Sequence, residues 1–337
     1  MIPGLKTHRE LNGGAPLGWK HVAPVSVIYE KTAPQDIHVV AIISTWFDGD
    51  IIAANVKNCF EQGCDKVYLL DNDSPDDSVI NATQAGAIIG EIYGTKFYDD
   101  DLRIKKENEI ARKIVEESGG RTIWILSLDA DEFVHGDNGE TVKQTLSQID
   151  PIMSCVGSHA FDLYPLSKVQ YVIGEHPGKC FDSGCLRIGT FCTQRHWKHV
   201  ALRYDGTFNT AQTRGNHSPA VINRHGIVYE PSNVSLPILH APFRRYEDSK
   251  SRLEALCGKK KDLAGRSRSH GDDQVTGGLG AIKRWQSLED VYAGRWDRVE
   301  IPHCKMLYGR QVTGISLYPW RERFKGIDLP RIENASE

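Results

Sequence analysis

The stretch WILSLDADEF at 124–133 carries the most chemically specific spacing in the chain. In an extended strand alternate side chains share a side, so Asp129 and Asp131 point together while Ala130 turns away. Two carboxylates so placed suit a hard divalent cation, Mg²⁺ or Mn²⁺, that keeps positions open for phosphate oxygens. An Asp-x-Asp pair alone also caps helices and solvates turns; its place after an apolar run is what favours metal. Two more clusters follow apolar runs: Thr45-Trp46-Phe47-Asp48 after IHVVAIIS, and Asp71-Asn72-Asp73-Ser74 after KVYLL. Carboxylates gathered at one edge are unstable unless a cation joins them or some hold protons.

Other constellations are weaker. The run from Gly13 to Lys20 approaches a phosphate-binding loop, but Trp19 interrupts its Gly-Lys step and no strand precedes it. Gly277, Gly278 and Gly280 lack the dinucleotide-binding spacing, and no Gly-x-Ser-x-Gly elbow occurs. Cys180, Cys185, Cys192, His196 and His199 crowd within twenty residues. None of their spacings is a paired Cys-x-x-Cys, so idle thiols are the better reading than zinc. Asn233-Val-Ser235 fits a glycosylation sequon that is expected to stay unmodified.

These clusters need elements that bring them to one edge. Residues 37–44 read as a buried strand, and a step of four through 51/52, 55/56 and 59/60 marks a helix over 50–62. Strands are expected at 66–70, 87–93 and 122–128, and a helix over 102–117 stopped by Gly119-Gly120. Strands alternating with helices predict a doubly wound, mostly parallel sheet, whose ligands bind beyond the carboxyl ends of the strands. Residues 1–36 hold many Gly and Pro and read as an irregular arm with one edge strand near 25–29. Beyond 150, strands are expected at 154–164, 184–191, 226–230 and 236–241, and a helix over 246–257. Nine Lys or Arg against four Asp or Glu between 244 and 270 form either a solvated face or a rim that attracts phosphate.

With 40% hydrophobic and 25% charged residues, disorder and coiled coil are excluded. A net charge of −3 argues against a nucleic-acid partner. No apolar run reaches the length of a membrane span, the N-terminal residues lack the apolar core of an export signal, and eight cysteines in 337 residues are too sparse for a disulfide scaffold. A cytoplasmic protein is expected. Oligomeric state leaves no trace in the sequence.

Four stretches in order resemble one family. VVAIISTWFDGDIIAANVKNCFEQGCDKVYLLDNDSPDD, WILSLDADEF, TRGNHSP at 213–219 and LPILHAPFRRYEDSKSRL together resemble GT-A glycosyltransferases, specifically the family-two-like group with a DADEF-type metal motif. The resemblance implies a Rossmann-like nucleotide-binding core of mostly parallel sheet with helices on both faces. That core would span 37–256, with a nucleotide-sugar half at 37–150, an acceptor half at 151–256 and a C-terminal extension at 257–337. It implies a metal-dependent, inverting transfer of sugar from a nucleoside-diphosphate donor to an acceptor: a small molecule, a glycan or a phosphorylated metabolite.

By that resemblance Asp71 contacts the base or ribose, with Thr45, Trp46, Asn72 and Ala130 nearby. Asp129, Asp131 and His240 hold Mn²⁺ or Mg²⁺. Arg103, Lys106 and Asn108 either face the diphosphate or form a solvated helix face. Relatives carry Lys-Asn-Glu where this chain has Trp46-Phe47-Asp48, and no acidic pair marks a catalytic base. His217 is the nearest base candidate, with Glu132 and Asp205 behind it; an imidazole can take a proton from a hydroxyl near neutrality. Trp285, Trp296, Tyr308 and Trp320 are either acceptor platforms or core. The alternatives are a Mg²⁺-dependent nucleotidyltransferase, for which the first strand end is neither glycine-rich nor basic, and a nucleotide-binding pseudo-glycosyltransferase without catalysis.

Overall fold

The computed structural model describes residues 20–21, 25–95, 99–186, 198–204, 208–211, 220–223, 229–231, 233–261, 288–299 and 316–332. The strands of the first half are β1 (Lys20–His21), β2 (Val25–Val27), β3 (His38–Thr45), β4 (Lys66–Asp71), β5 (Ile88–Ile92), β6 (Ile123–Asp129) and β7 (Glu132–Val134). Those that follow are β8 (Cys155–Leu163), β9 (Ser183–Leu186), β10 (Lys198–Tyr204), β11 (Phe208–Ala211), β12 (Ala220–Asn223), β13 (Tyr229–Pro231), β14 (Leu236–His240) and β15 (Tyr318–Pro319). The helices that bear on the site are α1 (Ile52–Glu61), α2 (Ser78–Gln84), α3 (Asp100–Glu117), α4 (Val142–Ser147), α5 (Pro177–Cys180) and α6 (Tyr246–Lys261).

One ten-stranded sheet runs β15-β9-β8-β10-β6-β3-β4-β5, with β14 paired to β8 and β7 paired to β14. The strands β6, β3, β4 and β5 are parallel, as expected of a doubly wound half. The direction reverses at β10, antiparallel to both β6 and β8, and β14 restores a parallel pairing on β8. This strand had no clear sequence signature: Lys198, His199 and Arg203 suggest solvent, yet all seven of its residues are buried.

Both faces of the sheet are covered, and β3 shows why its run is apolar throughout. Val39, Ala41 and Ile43 pack with Ile52, Val56 and Cys59 of α1 and with Val142 and Leu146 of α4. Val40 and Ile42 face the other way, onto Ile110, Ala111 and Ile114 of α3. A strand buried on both sides loses the polar alternation of a half-exposed one.

Several boundaries shift from the expected ones for local reasons. Helix α3 begins at Asp100 because the Asp99 carboxylate accepts from the Leu102 amide, an N-terminal cap. Gly119 and Gly120 do stop it, at φ 65° and 86°, a region that costs glycine little. No helix is expected between the strands at 66–70 and 87–93, but parallel neighbours need a crossover, and α2 supplies it between β4 and β5. Tyr318–Pro319 pairs with β9, and Trp320 is fully buried with its indole donating to the Phe181 carbonyl.

Candidate active site at the carboxyl edge of the parallel strands

Register brings the three polar clusters level. Thr45 pairs with Asp71 across β3 and β4, and Ser44 pairs with Asp129 across β3 and β6. Strand β14 delivers His240 opposite Asp162 of β8 on one side and Glu132 of β7 on the other. The expected ligands Asp131 and His240 therefore meet, with Nε2 of His240 3.5 Å from Oδ1 of Asp131. The other ring nitrogen, Nδ1, lies 2.6 Å from Oδ1 of Asp162. A carboxylate behind an imidazole fixes its tautomer and turns the remaining nitrogen toward a metal.

Asp131 is buried, which by itself would raise its pKa. The neighbouring His240, then Arg252 and Arg244, overcome that and hold it well below the usual carboxylate range. An ionised carboxylate and an imidazole with its second nitrogen occupied form a donor set that fits Mn²⁺ or Mg²⁺. Asp129 stands beside them with its side chain half exposed, and Lys198 Nζ is 3.7 Å from its Oδ2. The main chain of this turn is tied down: the Nδ2 group of Asn55 on α1 donates to the carbonyls of Asp129, Ala130 and Glu132 at 3.0–3.2 Å. Ala130 is buried, and its amide donates to the Ser44 carbonyl.

Asp71 is buried at the end of β4, accepting from the Ser74 amide at 2.9 Å and its hydroxyl at 2.5 Å. Burial raises its pKa, against the lowering effect of those two bonds. Asn72 accepts from the amide and hydroxyl of Thr95. Thr45 donates to Asp48, and the Trp46 amide donates to the same carboxylate. Phe47 adopts φ 60°, uncommon for a bulky side chain, with its amide on Ser74 Oγ. The first and second strand ends are thereby linked.

Other expected residues are engaged by neighbours within the chain. Arg103 is buried among Asp100, Glu107 and Ser44 Oγ. Lys106 pairs with Glu91 at 2.6 Å and with Glu109, and Asn108 donates to the Ile104 carbonyl one turn back. Glu132 is fully enclosed; it ion-pairs with Lys198 and accepts from the Asp129 amide. His217 and Asp205 lie outside the described residues, as do Trp285 and Tyr308. Cys180 joins the cluster around Phe161 and Phe181, while Cys185 packs near Tyr164 in a different one. His199 instead pairs with Glu230 at 2.7 Å beside Cys155, and Cys192 and His196 are outside the described residues.

No family model matches the chain, and no curated protein does either. Among solved structures it is similar to the mannosyltransferase PcManGT from Pyrobaculum calidifontis in complex with GDP-Man and Mn²⁺. That match has 12% identity and a TM-score of 0.34, over 78% of this chain and 76% of that one. It is also similar to Mycobacterium tuberculosis glucosyl-3-phosphoglycerate synthase, with 14% identity and a TM-score of 0.23 over 37% of this chain and 44% of that one. A mycobacterial protein matches at 16% identity and a TM-score of 0.25, over 37% and 41%. The chain thus spans less than half the length of two of the three. Likeness of this degree carries no functional weight, which rests on the side chains.

Four site residues escaped the sequence reading. Asp162 sits in a strand that reads as apolar, and only its alignment with His240 reveals it. Lys198 was masked by the expectation that lysine faces water. Arg244 and Arg252 belong to the basic stretch beginning at 244, whose alternative as a phosphate-attracting rim was the informative one. Arg244 is almost wholly buried: Nε is 2.7 Å from Asp50, Nη2 is 3.2 Å from Asp48, and Nη1 is 3.9 Å from Asp131. Arg252 reaches the same edge from α6, Nε 3.1 Å from Asp48 and Nη1 3.6 Å from Asp131.

Proposed function

We propose that the chain is a divalent-cation-dependent glycosyltransferase, moving a sugar from a nucleoside diphosphate to a nucleophilic acceptor with inversion. The observation that carries this reading is the relay Asp162–His240–Asp131, which presents an imidazole nitrogen and a carboxylate oxygen to one point at the strand edge. Asp131 and His240 would hold Mn²⁺ or Mg²⁺, with Asp129 beside them; the ion supplies charge stabilisation to a departing diphosphate. Asp71, buried at the next strand end and level with Thr45, reads the nucleoside. Asn72, Trp46 and Ala130 shape its pocket.

In the transfer, the acceptor oxygen forms a bond to the anomeric carbon while the bond from that carbon to the diphosphate breaks. The acceptor proton passes to a base, which we assign to His217. Glu132 serves the scaffold in this reading, because its enclosed carboxylate holds the Asp129 amide and Lys198. Arg103, through Ser44, supports the same strand end from below.

Product analysis tests the class. Incubation with nucleoside-diphosphate sugars and Mn²⁺ should release nucleoside diphosphate, whereas release of pyrophosphate would establish nucleotidyl transfer instead. Asp131→Asn should abolish turnover with its far-ultraviolet circular dichroism unchanged. Full activity of the unaltered protein in excess EDTA would defeat the metal assignment.

A further inference from the structure

The edge that would hold the cation is already partly neutralised by the chain itself. Three carboxylates, Asp48, Asp50 and Asp131, face two guanidiniums, Arg244 and Arg252. The two arginines are not equivalent. Arg244 is packed at about 1% side-chain exposure and bonds Asp50 through Nε at 2.7 Å, so it is part of the framework. Arg252 keeps 28% exposure and stands on helix α6 at the rim. Its contact with Asp131 is 3.6 Å, an ion pair beyond hydrogen-bond length, through the oxygen Oδ2.

Resting on the function proposed above, we propose that Arg252 is an exchangeable counter-cation. It neutralises Asp131 and Asp48 while no divalent ion is bound, and turns to the diphosphate of the donor once Asp131 is engaged by one. Local repulsion drives the exchange. With Asp129 and Asp162 the edge stays negative as a whole, but a divalent ion on Asp131 sets two positive charges beside the guanidinium and repels it from that carboxylate. A diphosphate arriving at the ion is the anion the displaced guanidinium can turn to, and guanidinium geometry suits phosphate oxygens. Arg244 strengthens the case: its Nη1 has no hydrogen-bond partner among the described residues although it is buried beside Asp131, so a second donor awaits an acceptor there.

The exchange makes two ligands help one another. Each binds against an obstacle alone, an occupied Asp131 for the ion and an edge of net negative charge for the diphosphate, and together they remove it. Arg252→Gln therefore has effects of opposite sign. Mn²⁺ binding to the nucleotide-free protein, read by electron paramagnetic resonance of the free ion, should tighten by roughly five-fold or more. Binding of UDP, GDP and pyrophosphate at saturating Mn²⁺, read by calorimetry, should weaken on the order of ten-fold. Arg252→Lys, which keeps the charge, should move both values back toward those of the unaltered protein.

Unchanged or weaker Mn²⁺ binding in Arg252→Gln, or unchanged diphosphate binding, overturns the exchange while leaving the metal assignment standing, provided that Asp131→Asn abolishes Mn²⁺ binding and so leaves the free-ion signal at full strength. Failure of the unaltered protein to bind Mn²⁺ overturns both.

Discussion

In the proposed site Asp162, 2.6 Å behind the His240 ring, would set how well that imidazole serves as a ligand. Removing a carboxylate behind a ligating imidazole typically costs 10- to 100-fold in metal affinity. Asp162→Asn should weaken Mn²⁺ binding by about that much, measured by competition with a fluorescent chelator, with unfolding in urea little changed. An affinity equal to that of the unaltered protein would remove Asp162 from the site. Lys198 and Glu132 work on a different quantity. Both are fully buried, and burial raises the Glu132 pKa against the lowering effect of the ammonium. Breaking such a buried pair typically costs about 3–5 kcal/mol, here at the lower end because Asp129 still stands 3.7 Å from Lys198. Glu132→Gln should lose stability of that order in urea titration, and adding Lys198→Met should recover much of it. Equal losses in the single and double variants would show that the pair is not coupled.

At the scale of elements, α1 acts as a clamp on the strand end that carries the Asp-x-Asp. The helix was legible from its step of four, and the informative residue is the one that breaks its apolarity. Asn55 lies on the buried face at 0% exposure, where apolar patterning predicts a hydrophobic side chain. Its amide holds three carbonyls of the Asp129–Glu132 turn, and Asn58 one turn on holds that of Val134. Asn55→Ala leaves those carbonyls buried and unmet, at a cost of about 2–3 kcal/mol. It should also loosen Mn²⁺ binding, because the turn positions Asp131. A variant as stable as its parent would sink the clamp. The parallel strands were legible because a strand buried on both faces is a continuous apolar run. Strand β9 overlaps the stretch expected at 184–191, whereas β10 was unread because its charged residues are satisfied by partners more than thirty positions away.

For the molecule as a whole, part of the loss of stability in acid follows from two buried histidines. His135 and His176 are buried with rings 5.2 Å apart, and burial pushes the His135 pKa down to about 3 and that of His176 well below its ordinary 6.5. Below pH 6.5 the unfolded chain takes up protons that the folded one refuses, so stability falls as pH falls, by about 1.4 kcal/mol per unit for each histidine. For His135 the loss continues down to about pH 3. Glu132, Asp48 and Glu107, raised by burial, act in the opposite sense above the ordinary carboxylate range. Urea titrations at pH 7 and 5.5 should show His135→Gln/His176→Gln losing about 2 kcal/mol less than its parent over that interval; parallel losses would exclude the pair as the cause. No helix among the described residues is long and apolar enough to cross a membrane.

The pairing of β14 has a consequence for how this chain can vary through descent. His240 faces Asp162 and Glu132 because Leu236 begins opposite Ser158 and each later residue keeps step. Side chains along a strand alternate, so one residue inserted within 236–240 would offer Leu239 where the imidazole belongs. Loops on either side can lengthen or shorten without that penalty. Among descendants of this chain, length changes should collect outside β14 and be purged within it.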